Sequence, residues 1–338
     1  MADMHSAASV PDVSVVIVSF NTREVLRECL EALGRESAGL VVGLVVETLI
    51  VDNGSKDGSV EMIRSDFPEV RLLLSPVNLG FGGANNLAFE QARGRYVVLL
   101  NSDAFLTQGS LAKSVGYMDR DRRIGLGGGR LIGRDGSPQP SARMFPALHT
   151  DLFVHTGLAA RFPRSRLFGQ FDRTWADPAQ PAAVDWVPGA YSIIRAEALA
   201  AAGPFDRRFF LYYEEVDLCR RIKAAGYSIW YWPDIPIIHI GGESSRQVAS
   251  LEMSKSGAQL TLWRMRSTLL YYRKYRGLLA IGARLLETTW YSLRALRRAL
   301  SRSAERRREA AYFRAQASLM RTAWRETAGG RISPQQPW

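Results

Sequence analysis

The chain has 338 residues, a hydrophobic fraction of 46% and a formal net charge of +11. That hydrophobic fraction excludes an intrinsically disordered chain and suffices to bury one large core, or one core with an appendage. Cys29 and Cys219, each inside a stretch that reads as helix, exclude a disulfide framework and a zinc site and read as buried thiols in a reducing compartment.

Residues 1–11 are short-chained and polar, without the basic segment and apolar run of a secretory signal. No run approaches the roughly 20 apolar residues of a spanning helix. Ser14–Phe20 is an uninterrupted β-branched run, as expected of a parallel strand buried on both faces. Thr22–Arg35 has Val25, Leu26, Cys29, Leu30 and Leu33 at helical spacing. Glu47–Asp52 reads as a strand, Ser55–Phe67 as a helix, Val70–Leu74 as a strand, Gly83–Arg93 as a helix and Tyr96–Leu100 as a fourth strand. Strands alternating with helices predict an α/β fold with a Rossmann-like, mostly parallel sheet flanked by helices. Ligands of such sheets sit at the carboxyl ends of the strands, where Asp52 and Asp103 fall.

Ser110–Met118 reads as helix and Gly125–Gly133 as a glycine-rich segment. Arg143–Asp185 mixes Pro, Arg and aromatics without a period and predicts a long, partly mobile insertion. Regular structure returns at Trp186–Arg195, Glu197–Ala201 and the helix Glu214–Gly226, with strands at Ile229–Tyr231 and Ile237–His239. From Leu251 onward the chain is helical and basic: residues 251–338 carry 18 Lys and Arg against 5 Glu, while the first 250 carry 26 against 28 acidic residues. Leu278, Ile281, Leu285, Leu293, Leu296 and Leu300 form an apolar stripe. Trp290 and Tyr291 lie nearby, and Arg284, Arg294, Arg297, Arg298 and Arg302 lie around or opposite it. A basic amphipathic helix with interfacial aromatics suits an anionic membrane surface, and a helix packed on the body with a solvated basic face gives the same pattern. No nucleic-acid recognition motif accompanies the charge.

Four groups of residues carry candidate chemistry, each with a structural reading beside it. Asp103 leaves a buried strand on a short turn and can hold a divalent cation against diphosphate, or form an Asx turn or cap. Asp52 can accept hydrogen bonds from a nucleoside, or cap the next helix. Asn78–Asn86 is a glycine-rich segment opening a helix, suited to phosphate or to a tight turn. It lacks a dinucleotide fingerprint, which would need Gly where Asn85 stands. Glu214, Glu215 and Asp217 crowd a helix start, as dipole electrostatics favours. Glu214 and Glu215 also follow an aromatic run, and like charges packed beside apolar rings raise one pKa toward that of a general base. His239 on a strand before Gly-Gly is a core histidine or a ligand.

The order of these pieces resembles that of the family-2 glycosyltransferases with the GT-A fold, over residues 12–246. The stretches VSVVIVSFN, IVDNGSKDGS, NLGFGGANN, LLNSDA, VPGAYSIIRAEAL, FFLYYEEVDLCRRIKAAGY and HIGGESS carry the resemblance. Within that family the arrangement looks most like bacterial rhamnosyltransferases that extend polyprenyl-diphosphate-linked sugars in cell-wall or surface polysaccharide synthesis.

The resemblance implies an inverting transferase with a nucleotide-diphosphate sugar donor, dTDP-rhamnose first and UDP- or GDP-sugars as alternatives, and a Mn²⁺ or Mg²⁺ cofactor. It implies that Asp52, Asn53, Ser19, Asn21, Gly80, Gly82, Asn85, Asn101 and Ser102 serve the donor. Asp103 and His239 would hold the metal, with Asn101 standing where the family's metal motif has its first Asp. Glu215 would be the base where the family usually has Asp, with Glu214 and Asp217 as alternatives, and Trp186, Gly189 and Ala190 would face the acceptor. The expected organisation is a catalytic domain at 12–246 and a basic, membrane-associating helical extension at 251–327. The expected location is cytoplasmic, on the inner face of the plasma membrane, with a lipid-linked saccharide acceptor and no nucleic acid as partners.

Overall fold

The β-branched run at Val13–Ser19 forms β1, followed by Arg23–Ala38 (α1), Val46–Asp52 (β2), Ser59–Asp66 (α2), Arg71–Leu74 (β3), Gly80–Phe89 (α3) and Tyr96–Asn101 (β4). In the computed structural model, which describes residues 10–39, 44–241 and 253–334, these strands lie parallel in the order β3-β2-β1-β4. Strand alternation sorts β1 between two faces. Val13, Val15 and Ile17 pack with Leu26, Cys29, Leu30 and Leu33 of α1, while Val16 joins Ala84 and Ala88 of α3 on the other side.

Beyond β4 the sheet becomes mixed. Ala104–Leu106 (β5), Ser110–Arg120 (α4), Ile124–Ile132 (β6), Leu148–Thr156 (α5), Leu158–Arg161 (α6), Ala182–Ala183 (β7), Tyr191–Arg195 (β8), Ala196–Ala202 (α7), Glu214–Ala224 (α8) and Ser228–His239 (β9) follow. The order continues β4-β8-β6-β9-β5, with β8 antiparallel to β4 and β6, β9 parallel to β6, and β5 and β7 antiparallel to β9. Helices cover both faces, so the α/β architecture matches the expected fold class.

Several sequence expectations change here. The glycine-rich Gly125–Gly133 segment is strand β6. Its glycine at 127 answers a close approach, since a Cβ there would stand 2.0 Å from the Trp232 ring. The two short strands expected at 229–231 and 237–239 are one strand, β9, which tolerates Pro236 because its register against β6 shifts between Gly129 and Arg130. The insertion expected to be partly mobile is fastened: Arg143 stacks on Phe171 and Trp186 and pairs with Asp172, and the Trp186 indole donates to the Met144 carbonyl. Helix α3 begins at Gly80, three residues before the expected start. Cys29 and Cys219 are buried and free, as expected. Residues 1–9 and the Glu243-Ser244-Ser245 part of the last family-like stretch lie outside the described residues.

Three long helices close the chain: Met253–Arg276 (α9), Leu279–Ala299 (α10) and Ala304–Glu326 (α11). The first is core rather than appendage. Leu270, Tyr271 and Tyr272 share an apolar cluster with Val16, Leu49 and Val51 of the central strands. Met320 and Ala323 of α11 cover Leu262, Met265 and Leu269 of α9. Among the described residues no helix is long and apolar enough to cross a membrane.

Asp217 ties this helical unit to the sheet. Its carboxylate is fully buried and accepts from Lys274 (2.5 Å), Tyr275 (2.7 Å) and Arg221 (2.8 Å), the first two on α9 and the third one turn along α8. A buried carboxylate so engaged compensates two cations, and removing its charge leaves them under-paired. Asp217→Asn is expected to destabilise the fold by about 3–5 kcal/mol. Chemical denaturation read by circular dichroism checks this, and a variant as stable as the parent would show that the cluster contributes little.

Candidate functional site

The parallel strand order reverses between β1 and β4, and open α/β sheets place ligands in the crevice outside such a reversal. A cleft of about 380 Å³ lies there. Its floor is Val18 and Phe20 from the end of β1, and Asn101, Ser102 and Asp103 from the end of β4. Pro188, Gly189 and Ala190 form one wall, and Phe210, Leu211, Tyr212 and Leu260 form another.

The β5–β9 pairing sets Ala104 opposite His239, and the Ile240 amide donates to the Asp103 carbonyl. As a result the His239 Nε2 lies 3.5 Å from Asp103 Oδ1. The other ring nitrogen, Nδ1, lies 2.8 Å from Gln139 Oε1, while Gln139 Nε2 donates to the His239 carbonyl. The amide nitrogen of Gln139 is thereby committed, so its oxygen accepts from Nδ1–H and the ring turns Nε2 toward Asp103. A carboxylate oxygen and an imidazole nitrogen at that distance call for a proton or a cation between them. Carboxylate and imidazole suit Mg²⁺ or Mn²⁺ as a donor set, so the residues present fit a divalent cation. Among the described residues there is no cluster of three or more metal-ligating side chains, so diphosphate and water oxygens would complete the coordination.

Across the cleft, Glu214 and Glu215 open α8. The two residues before them, Tyr212 (φ 69°) and Tyr213 (φ 68°), are both left-handed, a conformation costly for side-chain-bearing residues and concentrated at functional sites. Burial pushes the pKa of both carboxyls up, well up for Glu214, to which the neighbouring Glu215 charge also contributes. The Arg143 guanidinium partly offsets the rise at Glu215. Of the pair, the rise is therefore the larger at Glu214. One oxygen of each is buried without a hydrogen-bond partner. The third acidic candidate, Asp217, is spent on its three structural partners and does not line the cleft.

The donor-side candidates divide in the same way. Asn53, Gly80, Asn101 and Ser102 line the cleft; Ser19, Asn21, Asp52, Gly82 and Asn85 do not. The Asp52 carboxylate accepts from the Gly54 and Ser55 amides through Oδ1, and its Oδ2 is buried and unpartnered. Ser19 shares its hydroxyl with Thr22, Asn21 accepts from the Lys56 amide, and the Asn85 side chain donates to the Phe81 carbonyl. The expected phosphate-facing amides of the glycine-rich stretch are already engaged. The Leu79 amide donates to Asn53 Oδ1, that of Gly80 to Asn78 Oδ1 and that of Phe81 to the Phe210 carbonyl. On the acceptor side Gly189 and Ala190 line the cleft, whereas Trp186 is buried against Arg143.

Sequence reasoning missed Gln139, Arg143 and the wall Phe210–Tyr212. The first two stand 100 and 72 positions from the residues they tune, so no local pattern points to them. The aromatic run before the glutamates was the available signal for the wall. Gly80 sets that wall's distance: its φ is +73°, and a Cβ would lie 2.1 Å from the Phe210 carbonyl oxygen. Gly80→Ala is expected to cost about 1–3 kcal/mol from the left-handed backbone alone, with the clash adding to it. Its thermal unfolding midpoint should fall, and an unchanged midpoint would show that the wall yields freely.

The sequence pattern of Glycosyl transferase family 2 matches residues 14–174. An N-acetylglucosaminyl-diphospho-decaprenol L-rhamnosyltransferase of Mycobacterium tuberculosis (strain CDC 1551 / Oshkosh) is 31% identical over 214 residues, 60% of this chain and 69% of the relative. Rhamnosyltransferase WbbL of Escherichia coli (strain K12) is 25% identical over 210 residues, 58% of this chain and 71% of the relative. Among solved structures, the mannosyltransferase PcManGT from Pyrobaculum calidifontis in complex with GDP-Man and Mn²⁺ is similar at a TM-score of 0.51 and 16% identity, covering 96% of this chain and 89% of that one. GalNAc-T7 with UDP, GalNAc and Mn²⁺ is similar at a TM-score of 0.54 and 14% identity, covering 96% and 59%. At these identities the structures speak for the fold alone, a GT-A glycosyltransferase fold.

Proposed function

The chain belongs to glycosyl transferase family 2, and from that membership we propose that it transfers L-rhamnose from dTDP-rhamnose to a polyprenyl-diphosphate-linked saccharide, with inversion at the anomeric carbon. The observation that carries the reading is one cleft at the strand reversal that holds a carboxylate–imidazole pair on one side and a buried glutamate pair on the other. The names of the Mycobacterium tuberculosis and Escherichia coli relatives support rhamnose as the sugar, and the former supports a lipid-diphosphate acceptor.

In this mechanism Glu215 takes the proton of the acceptor hydroxyl. The hydroxyl oxygen forms its bond to the anomeric carbon as the bond from that carbon to the diphosphate oxygen breaks, and the nucleoside diphosphate leaves with the electron pair. Asp103 and His239 would hold a divalent cation, whose chemistry there would be to neutralise charge on a leaving diphosphate. Gln139 keeps the imidazole Nε2 turned toward Asp103. Asp52, which does not line the cleft, has a buried oxygen without a partner that a nucleoside would have to reach. Asn53 holds Asn78 and Leu79, shaping the donor wall. The apolar wall of Phe210, Leu211 and Leu260 excludes water from the reacting centre.

Donor identity is tested by thermal shift against dTDP-, UDP- and GDP-sugars, with and without Mn²⁺ or Mg²⁺. A ligand that binds only the folded state raises its stability. Metal-dependent stabilisation by dTDP-rhamnose is the expected result, and His239→Ala should abolish the metal dependence. Stabilisation by a UDP- or GDP-sugar instead would replace the proposed donor, and silence toward every donor in a folded sample would sink the transferase mechanism.

The base is tested by kinetics. Glu215→Gln is expected to lower kcat by about a hundred- to ten-thousand-fold with donor binding retained. Because burial raises the Glu215 pKa, activity should be full above that pKa and fall as pH drops through it, placing the acid limb above the usual glutamate value. Arg143→Gln removes the charge that favours the ionised form and should move that limb higher still. A limb unmoved by Arg143→Gln, or near-normal turnover by Glu215→Gln, would take the base role from Glu215.

A further inference from the structure

A groove of about 710 Å³ lies outside the catalytic cleft, between the end of α5, the second half of α10 and the start of α11. His155, Gly157, Trp290, Arg294, Arg297 and Arg306 line it. Arg294 lies over the rings of Trp290 and Phe313 at 5.7 and 4.4 Å, so its guanidinium is fixed by stacking rather than by a counter-charge. Arg298 is paired with Glu309. Among the described residues no ion pair engages Arg294, Arg297 or Arg306. The transferase mechanism uses none of these side chains.

The apolar stripe read in the sequence faces outward along the same helix. Leu278, Leu285, Leu293, Leu296 and Leu300 are between 54% and 77% exposed, while Ala280, Ala283, Glu287 and Ala295 face the protein. A helix whose small residues face the body and whose leucines face outward has its apolar face reversed relative to a helix that merely covers a core. The segment leaving α5 continues the pattern, with Phe162 and Leu167 exposed among the exposed Arg161, Arg164 and Arg166. Leucines, a tryptophan and uncompensated arginines side by side are the chemistry of a bilayer interface. Nucleic acid rewards the charges but gives no reason for the leucines.

We propose that this face docks on an anionic phospholipid bilayer, the leucine row of α10 entering the interface and the Trp290–Arg294–Arg297–Arg306 groove holding a lipid phosphate. The proposal stands on this surface alone and not on the identity of the donor. It gives the transferase a way to meet a membrane-held acceptor without a spanning helix among the described residues.

The test is flotation of the full chain with phosphatidylcholine vesicles, with and without phosphatidylglycerol. Binding is expected only with phosphatidylglycerol and should weaken as salt rises. A basic residue near an anionic leaflet is worth roughly fivefold in partitioning. The double variant Arg297→Gln/Arg306→Gln should therefore bind about 25-fold less well. Leu293→Ser/Leu296→Ser should weaken binding while leaving its salt dependence in place. All four positions are exposed, and an unaltered unfolding midpoint and donor response confirm that each variant is folded. Binding indifferent to phosphatidylglycerol, a double variant that partitions like the parent, or retention on an oligonucleotide with no vesicle binding would each overturn the proposal. Vesicle binding without any donor response would leave it standing and remove the transferase mechanism instead.

Discussion

The antiparallel pairing of β5 on β9 is the constraint from which the cleft follows. Three residues of strand after a tight turn suffice to set Ala104 against His239, and that register brings a carboxylate and an imidazole from distant parts of the chain to 3.5 Å. A slip of one residue would turn every side chain of so short a strand to the other face and separate the pair. The register is held by burial, since Ala104, Phe105 and Leu106 are all core residues, and by the Thr107 hydroxyl donating to the Pro236 carbonyl. The metal-suited side therefore depends on ordinary apolar packing a few residues away.

The opposite side rests on a conflict between burial and charge. A helix N-terminus favours negative side chains, and α8 begins with two of them. Their burial works the other way, and the balance leaves both carboxyls with raised pKa values. The rise is the larger at Glu214, where the Glu215 charge adds to burial, and Arg143 partly offsets it at Glu215, so the two carboxyls are not equivalent. Asp217, two positions along, shows the other outcome for a buried carboxylate. With three donors around it, it is a structural anchor and does not line the cleft.

That anchor joins the two parts of the molecule. Lys274 and Tyr275 on α9 reach Asp217 on the helix that carries the glutamates, and Leu260 of α9 lines the cleft, so this helix is built into the cleft's wall rather than hanging from the body. The same helices turn their leucines and arginines outward. One buried cluster thus sets the geometry of the cleft relative to the basic face, fixing how a substrate arriving at that face would meet the carboxylates.

By itself the sequence determined what periodicity and local order can express. The β-branched run at Val13–Ser19, the strand–helix alternation through Tyr96–Asn101 and the uneven charge established an α/β fold with a basic helical end, because burial and backbone geometry write those features into neighbouring residues, while the ordered motifs carried the resemblance to the family-2 glycosyltransferases. Only the tertiary structure decided which candidates share a cleft. It moved Asp217 and Trp186 out, satisfied the amides of the glycine-rich stretch with Asn53, Asn78 and Phe210, and recruited Gln139 and Arg143 from far along the chain. It also made the first tail helix a core element and pointed the second one's leucines outward. The physical reason is common to these cases. A hydrogen bond or an ion pair depends on distance in space, and positions 100 residues apart come within 3 Å only when the sheet that joins them has formed.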